Sequence, residues 1–172
     1  MSQFVEHAIA ALNRVAGAPE IARRSALTGV IEFTLAETQG SYAGLFIGSE
    51  DSRRISCIIK FPESIDDGIR PELMLLCFLI NPTLDLGQLE FTHSGDELIA
   101  KVTQCLLPGH ECNEAIIEES VSTAIRLMNE HADCIRSVIK GDMKAANAFH
   151  TKQFLAQSGS VKPLDISDFE KD

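Results

Sequence analysis

The chain lacks the features that define several large classes of protein. It carries 15 Lys and Arg against 25 Asp and Glu, a net charge of −10. Nucleic-acid-binding domains normally present a basic face, and an anionic membrane surface repels an acidic protein. No apolar run approaches the roughly 20 residues that span a bilayer, and the N-terminus has no basic start or apolar core typical of a secretion signal. We therefore expect a cytoplasmic protein that binds neither nucleic acid nor membrane.

Recognisable catalytic motifs are also missing from the sequence. Gly44 and Gly48 fall on a predicted strand, so they cannot form the phosphate-binding loop that joins a strand to a helix. The adjacent carboxylates 66–67 lie in a predicted loop, and those at 118–119 occupy neighbouring helix positions that do not face each other. Solvated surface is the better interpretation of both pairs. We expect no cofactor and no enzymatic activity.

The cysteines offer the one chemical alternative. With no export signal they are expected to be reduced thiols. Cys105, His110 and Cys112, with His131 and Cys134 further on, are residue types that bind zinc, but their spacing matches no recognised zinc motif. A small thiol- or zinc-dependent enzyme using Cys105, His110 and Cys112 is the alternative function. The sequence contains five cysteines: Cys57, Cys77, Cys105, Cys112 and Cys134.

The periodicity of apolar residues predicts one folded domain. Apolar residues form 45% of the chain, enough for a core. Helix and strand patterns alternate in the order α-β-β-β-α-β-β-α over residues 1–144. This order predicts an α+β domain in which an antiparallel sheet of about five strands packs with helices. Residues 145–172 lose the periodicity and are predicted to be a flexible or loosely docked tail. The predicted elements cover residues 2–16, 27–35, 42–47, 55–61, 71–81, 86–107 and 113–140.

Residues 73–80 are the most unusual segment, since their only polar group is a thiol. Pro71 and Pro82 frame the segment as a helix rather than a buried strand. A helix that is apolar on all sides must be covered on more than one side, and a sheet covers only one. A second copy of the chain is the simplest cover for the other side, which predicts a homodimer. The candidate interface residues are Leu73, Leu76, Phe78, Leu79 and Ile80.

The order of elements resembles that of a known family. The pattern of apolar residues resembles that of the YbjN family, which has a type III secretion chaperone-like fold. The similar stretches are residues 73–81, 87–91 and 96–101, followed by the closing helix at 117–139. The resemblance covers residues 1–141. It implies a bacterial α+β protein that forms dimers and binds proteins or peptides without catalysing a reaction. The predicted function is therefore a chaperone-like or regulatory adaptor.

Two further groups of residues are candidates for binding that partner. Phe4, Ile9 and Leu12 share one apolar face of the first predicted helix. In the chaperones that the chain resembles, this region borders the ligand groove. Arg23 and Arg24 form a basic pair that could bind an acidic segment of a partner protein.

Overall fold

The computed structural model describes residues 3–16, 20–25, 29–37, 40–48, 54–106 and 113–158. These residues form four α-helices and six strands. The helices are α1 (Gln3–Ala16), α2 (Arg70–Ile80), α3 (Glu114–Ile139) and α4 (Ala145–Ser158). The strands are β1 (Glu20–Ser25), β2 (Val30–Glu37), β3 (Gly40–Ile47), β4 (Arg54–Lys60), β5 (Gln88–Phe91) and β6 (Leu98–Cys105).

The strands form one antiparallel sheet in the order β1-β2-β3-β4-β6-β5. The predicted α+β class with an antiparallel sheet is confirmed. The sheet has one strand more than the roughly five predicted, because the sequence gives no strand signal for β1. Its residues do not alternate between apolar and polar, and strand pairing with β2 decides their conformation. Arg23 and Arg24 lie on this edge strand, opposite Glu32 and Ile31.

The core lies between the sheet and the helices. In β4, Ile55, Cys57 and Ile59 are buried, while the residues between them are partly exposed on the other face. Helix α3 lies across β4 and β6 and also packs on α1, which contacts β2. One face of the sheet therefore supports the helices, as is common for antiparallel sheets.

Helix α2 is fixed at both ends by polar contacts. Pro71 lies in its first turn, where the missing N–H has no cost, and Glu72 favours the positive end of the helix dipole. Asn81, just after the helix, accepts a hydrogen bond from Leu89 N at 2.8 Å and donates one to Leu89 O at 2.9 Å. These two hydrogen bonds to β5 hold the end of α2 at the edge of the sheet.

Helix α3 begins and ends where the sequence predicts. The Asn113 side chain accepts a hydrogen bond from Ile116 N at 3.1 Å and caps the first turn. Gly141 follows the last turn with a φ of 75°, a left-handed conformation that glycine adopts without strain.

The folded part of the chain continues past the predicted boundary at residue 144. Residues 145–158, assigned from the sequence to a flexible or loosely docked tail, form α4, which packs on α2 and α3. Its contact residues Ala145 and Ala148 are buried, and Ala145 N donates to the Glu72 carboxylate at 3.1 Å. Two alanines give too little apolar pattern to reveal a helix in the sequence. Residues 159–172 of the predicted tail lie outside the described residues.

Candidate functional site

The outward face of α2 carries three large apolar side chains in solvent. Met74 is 57% exposed, Leu75 44% and Phe78 72%. Phe78 lies four positions after Met74 and three after Leu75, the two spacings that share a helix face, so these residues form a continuous surface, which we name the α2 patch. The opposite face of the helix points into the core through Leu73, Leu76, Cys77 and Ile80.

The residues of α2 that are exposed to a partner differ from most of those predicted from the sequence. Leu73, Leu76 and Ile80, predicted as interface residues, are buried within the chain itself, and Leu79 is half-buried. Of the five predicted residues, Phe78 alone is strongly exposed. A helix that is apolar on every side has no amphipathic pattern to show which side packs against the chain's own core. The structure assigns the open side to Phe78 together with Met74 and Leu75.

The predicted partner-binding residues lie on other elements. Leu12 is fully buried in the core, and Ile9 is half-buried against it. Phe4 lies in α1, and Arg23 and Arg24 lie in β1, but their side chains are outside the described part of the structure. Helix α1 contacts α3 and β2, whereas α2 contacts α4, β5 and α3.

The cysteine and histidine candidates are dispersed where the structure describes them. Cys105 is exposed at the end of β6, and His110 and Cys112 fall outside the described residues. On α3, Cys134 Sγ donates to the backbone oxygen of Ala148 at 2.9 Å, and His131 contacts α4. Within the described ranges, no three His, Cys, Asp or Glu residues are grouped to hold a metal ion.

The buried thiols are poor nucleophiles. Burial raises the pKa of Cys77 to about 12, and it raises the pKa of Cys57 further. Both side chains therefore stay protonated at neutral pH, and they do not react because the nucleophile is the thiolate. They act as small apolar groups in the core.

A second surface feature is a cleft between α3 and α4, which we name the α3–α4 cleft. It has a volume of about 290 Å³ and is closed on one side by the segment between α2 and β5. Leu84 and Leu86 come from that segment, Leu127 and His131 from α3, and Phe149 and Lys152 from α4. No sequence pattern predicts this cleft, because Lys152 and Phe149 lie in the segment predicted as a tail.

His131 and Lys152 form the polar centre of the α3–α4 cleft. Lys152 Nζ lies 2.7 Å from His131 Nδ1 and 3.2 Å from Nε2. Burial and then the charge of Lys152 lower the pKa of His131 to about 4. Burial also lowers the pKa of Lys152, while the nearby Glu130 partly opposes that change. At neutral pH the imidazole is therefore neutral and accepts a hydrogen bond from the ammonium group.

This pair predicts a loss of stability in acid. Unfolded His131 binds a proton near pH 6.5, whereas the folded protein resists protonation of His131 down to about pH 4. The unfolded state therefore binds more protons in this window, and the free energy of unfolding falls as pH decreases from about 6.5 to 4. After allowance for partial solvent screening, the loss should be about 2 kcal/mol.

Urea denaturation of the protein and of His131→Leu at pH 7, 6, 5 and 4 measures this contribution. The variant should lose less stability across the window because it lacks the imidazole. The titration of carboxylates is common to both proteins and does not contribute to the difference. His150→Leu removes an exposed histidine from α4 and should behave as the unmodified protein does. Equal pH dependence for His131→Leu and the unmodified protein would rule out the assignment.

Comparison with family models, with curated proteins and with solved structures finds no match to this chain. Among the described helices, none combines the length and the apolarity needed to cross a membrane.

Proposed function

We propose that the chain is a non-catalytic, protein-binding module that forms a homodimer through the α2 patch. The observation that carries the proposal is the exposure of Met74, Leu75 and Phe78 on one face of a helix. Burying a side chain of this kind contributes about 1.5–3 kcal/mol. Phe and Met are also enriched at the centres of protein interfaces.

The surroundings of the α2 patch favour a second copy of the chain as its partner. The charged residues of α2 lie in its first turn, where Arg70 pairs with Asp67 and Glu72 pairs with Lys144. The remainder of the helix is uncharged. In a twofold contact the two α2 helices can run antiparallel, which places the positive end of each dipole beside the negative end of the other.

The wider role follows from the resemblance to the YbjN family. We infer a chaperone-like or regulatory adaptor of the bacterial cytoplasm that binds a protein or peptide partner in addition to its own copy. Phe4 and the half-buried Ile9 on α1, with the basic pair Arg23 and Arg24 on β1, remain the candidates for contact with that partner. Their position on other elements leaves the α2 patch for the dimer.

The test is to place opposite charges on the α2 patch. At about 10 μM the unmodified protein should sediment as a dimer, and Met74→Glu/Phe78→Lys should sediment as a monomer. Losing the burial of two large side chains in each copy should weaken the dimer more than roughly hundredfold. Both positions are exposed, so the circular dichroism spectrum should not change.

The matched control is Asn147→Glu/Phe154→Lys on the exposed side of α4. It also replaces an exposed phenyl group and leaves the net charge unchanged, so it should remain dimeric. A monomeric unmodified protein, or a dimeric Met74→Glu/Phe78→Lys, would contradict the homodimer.

A further inference from the structure

The α3–α4 cleft combines apolar walls with a half-buried cation. Its volume of about 290 Å³ is close to the lower end of the range of small-molecule sites, roughly 300–1,000 Å³. The apolar part of the lining comes from three separate elements: Leu84 and Leu86 before β5, Leu127 on α3 and Phe149 on α4. Lys152 supplies the cation, beside the ring of His131.

Within the described residues, Lys152 has no carboxylate at ion-pair distance. Its ammonium group contacts the neutral ring of His131 instead. Two acids line the cleft, Asp85 and Glu130; the charge of Glu130 acts on Lys152 from beyond ion-pair distance, and its carboxylate lies 3.6 Å from the guanidinium of Arg126 on the same helix. A half-buried ammonium group with no carboxylate in direct contact is destabilised by burial, and an anion that contacts it would offset that cost.

We propose that the α3–α4 cleft binds a small organic carboxylate, whose anionic group pairs with Lys152 and whose apolar body lies against Leu84, Leu86 and Phe149. This chemistry is shared by a short fatty acid and by the C-terminal residue of a peptide with an apolar side chain. The cleft is separate from the α2 patch, so the proposal does not depend on the dimer.

The first experiment titrates the full-length protein with three probes by calorimetry. Hexanoate should bind saturably. Hexanol has nearly the same apolar body without the charge, and it should bind roughly ten- to hundredfold more weakly, the effect of losing a charged hydrogen bond. Acetate keeps the charge but lacks four methylene groups, each contributing roughly fourfold in affinity, so it should show no measurable binding.

The second experiment removes the cation. Lys152→Met keeps the length and apolar stem of the side chain, and it should weaken hexanoate binding at least about tenfold. Lys140→Met is the matched control, since Lys140 is exposed at the end of α3, and it should bind as the unmodified protein does. Hexanoate should also raise the pKa of His131 in the unmodified protein, measured by NMR, because the carboxylate offsets the charge of Lys152.

The outcomes separate the sources of the carboxylate. Tighter binding of hexanoate than of the tripeptide Ala-Leu-Leu indicates a fatty acid, and tighter binding of the tripeptide than of its amidated form or hexanoate indicates a chain end. Three results would overturn the proposal: hexanol binds as tightly as hexanoate, Lys152→Met binds hexanoate as tightly as the unmodified protein does, or neither hexanoate nor the tripeptide binds saturably. The hexanol and NMR results decide the question even where Lys152→Met does not fold.

Discussion

Replacing Gly44 by valine should lower the melting temperature by about 10 °C. Gly44 lies on β3 directly opposite Phe33 of β2, and the Phe33 ring occupies the space above it. A Cβ atom at Gly44 would lie 2.2 Å from Cε2 and 2.3 Å from Cζ of that ring. Phe33 is only 2% exposed, so close-packed neighbours restrict its movement. Overpacking of this kind costs about 3 kcal/mol, which corresponds to the stated change for a domain of this size.

Thermal unfolding followed by circular dichroism measures the effect of Gly44→Val. The control is Ala43→Val, an exposed position next to it on β3, for which the stability should change by less than about 0.5 kcal/mol. The double variant Phe33→Leu/Gly44→Val should be more stable than the sum of the single effects predicts, because the smaller side chain leaves room for valine. A melting temperature within about 3 °C of the unmodified protein would show that the ring moves aside freely.

Ending the chain after residue 144 should lower the melting temperature by a similar amount. This deletion removes α4, whose buried Ala145 and Ala148 and half-buried Phe149 pack against the core. It also exposes the groups that α4 covers, including His131 and the Cys134 thiol, which loses its acceptor on Ala148. We expect a loss of about 3 kcal/mol and a melting temperature lower by roughly 10 °C.

The control for this deletion keeps α4 and changes its solvent-facing side. Phe154 is 70% exposed, so Phe154→Ser in the full chain should change the stability by less than about 0.5 kcal/mol. An unchanged melting temperature for the deleted chain would mean that α4 docks too weakly to stabilise the domain and that residues 145–158 behave as the tail predicted from the sequence.

The elements that the sequence predicted correctly are those with a strong local signal. Pro71 marked the start of α2, and Gly141 marked the end of α3. Caps and proline act within one helical turn, so their effect can be read without knowing the fold. Strand β1 and helix α4 have no such signal. Their conformation depends on pairing with β2 and on packing against α2 and α3.

The candidate sites divide in the same way. The sequence by itself determined that residues 73–80 form a helix that is apolar on every side, because composition and length are local properties. Only the tertiary structure decided that Leu73 and Ile80 face the chain's own core and that Phe78 faces solvent. It also brought Lys152 beside His131, 21 positions away in the sequence, to form the α3–α4 cleft. Side chains so far apart meet only when their helices pack, and the apolar periodicity of one helix carries no information about the polar groups of its neighbour.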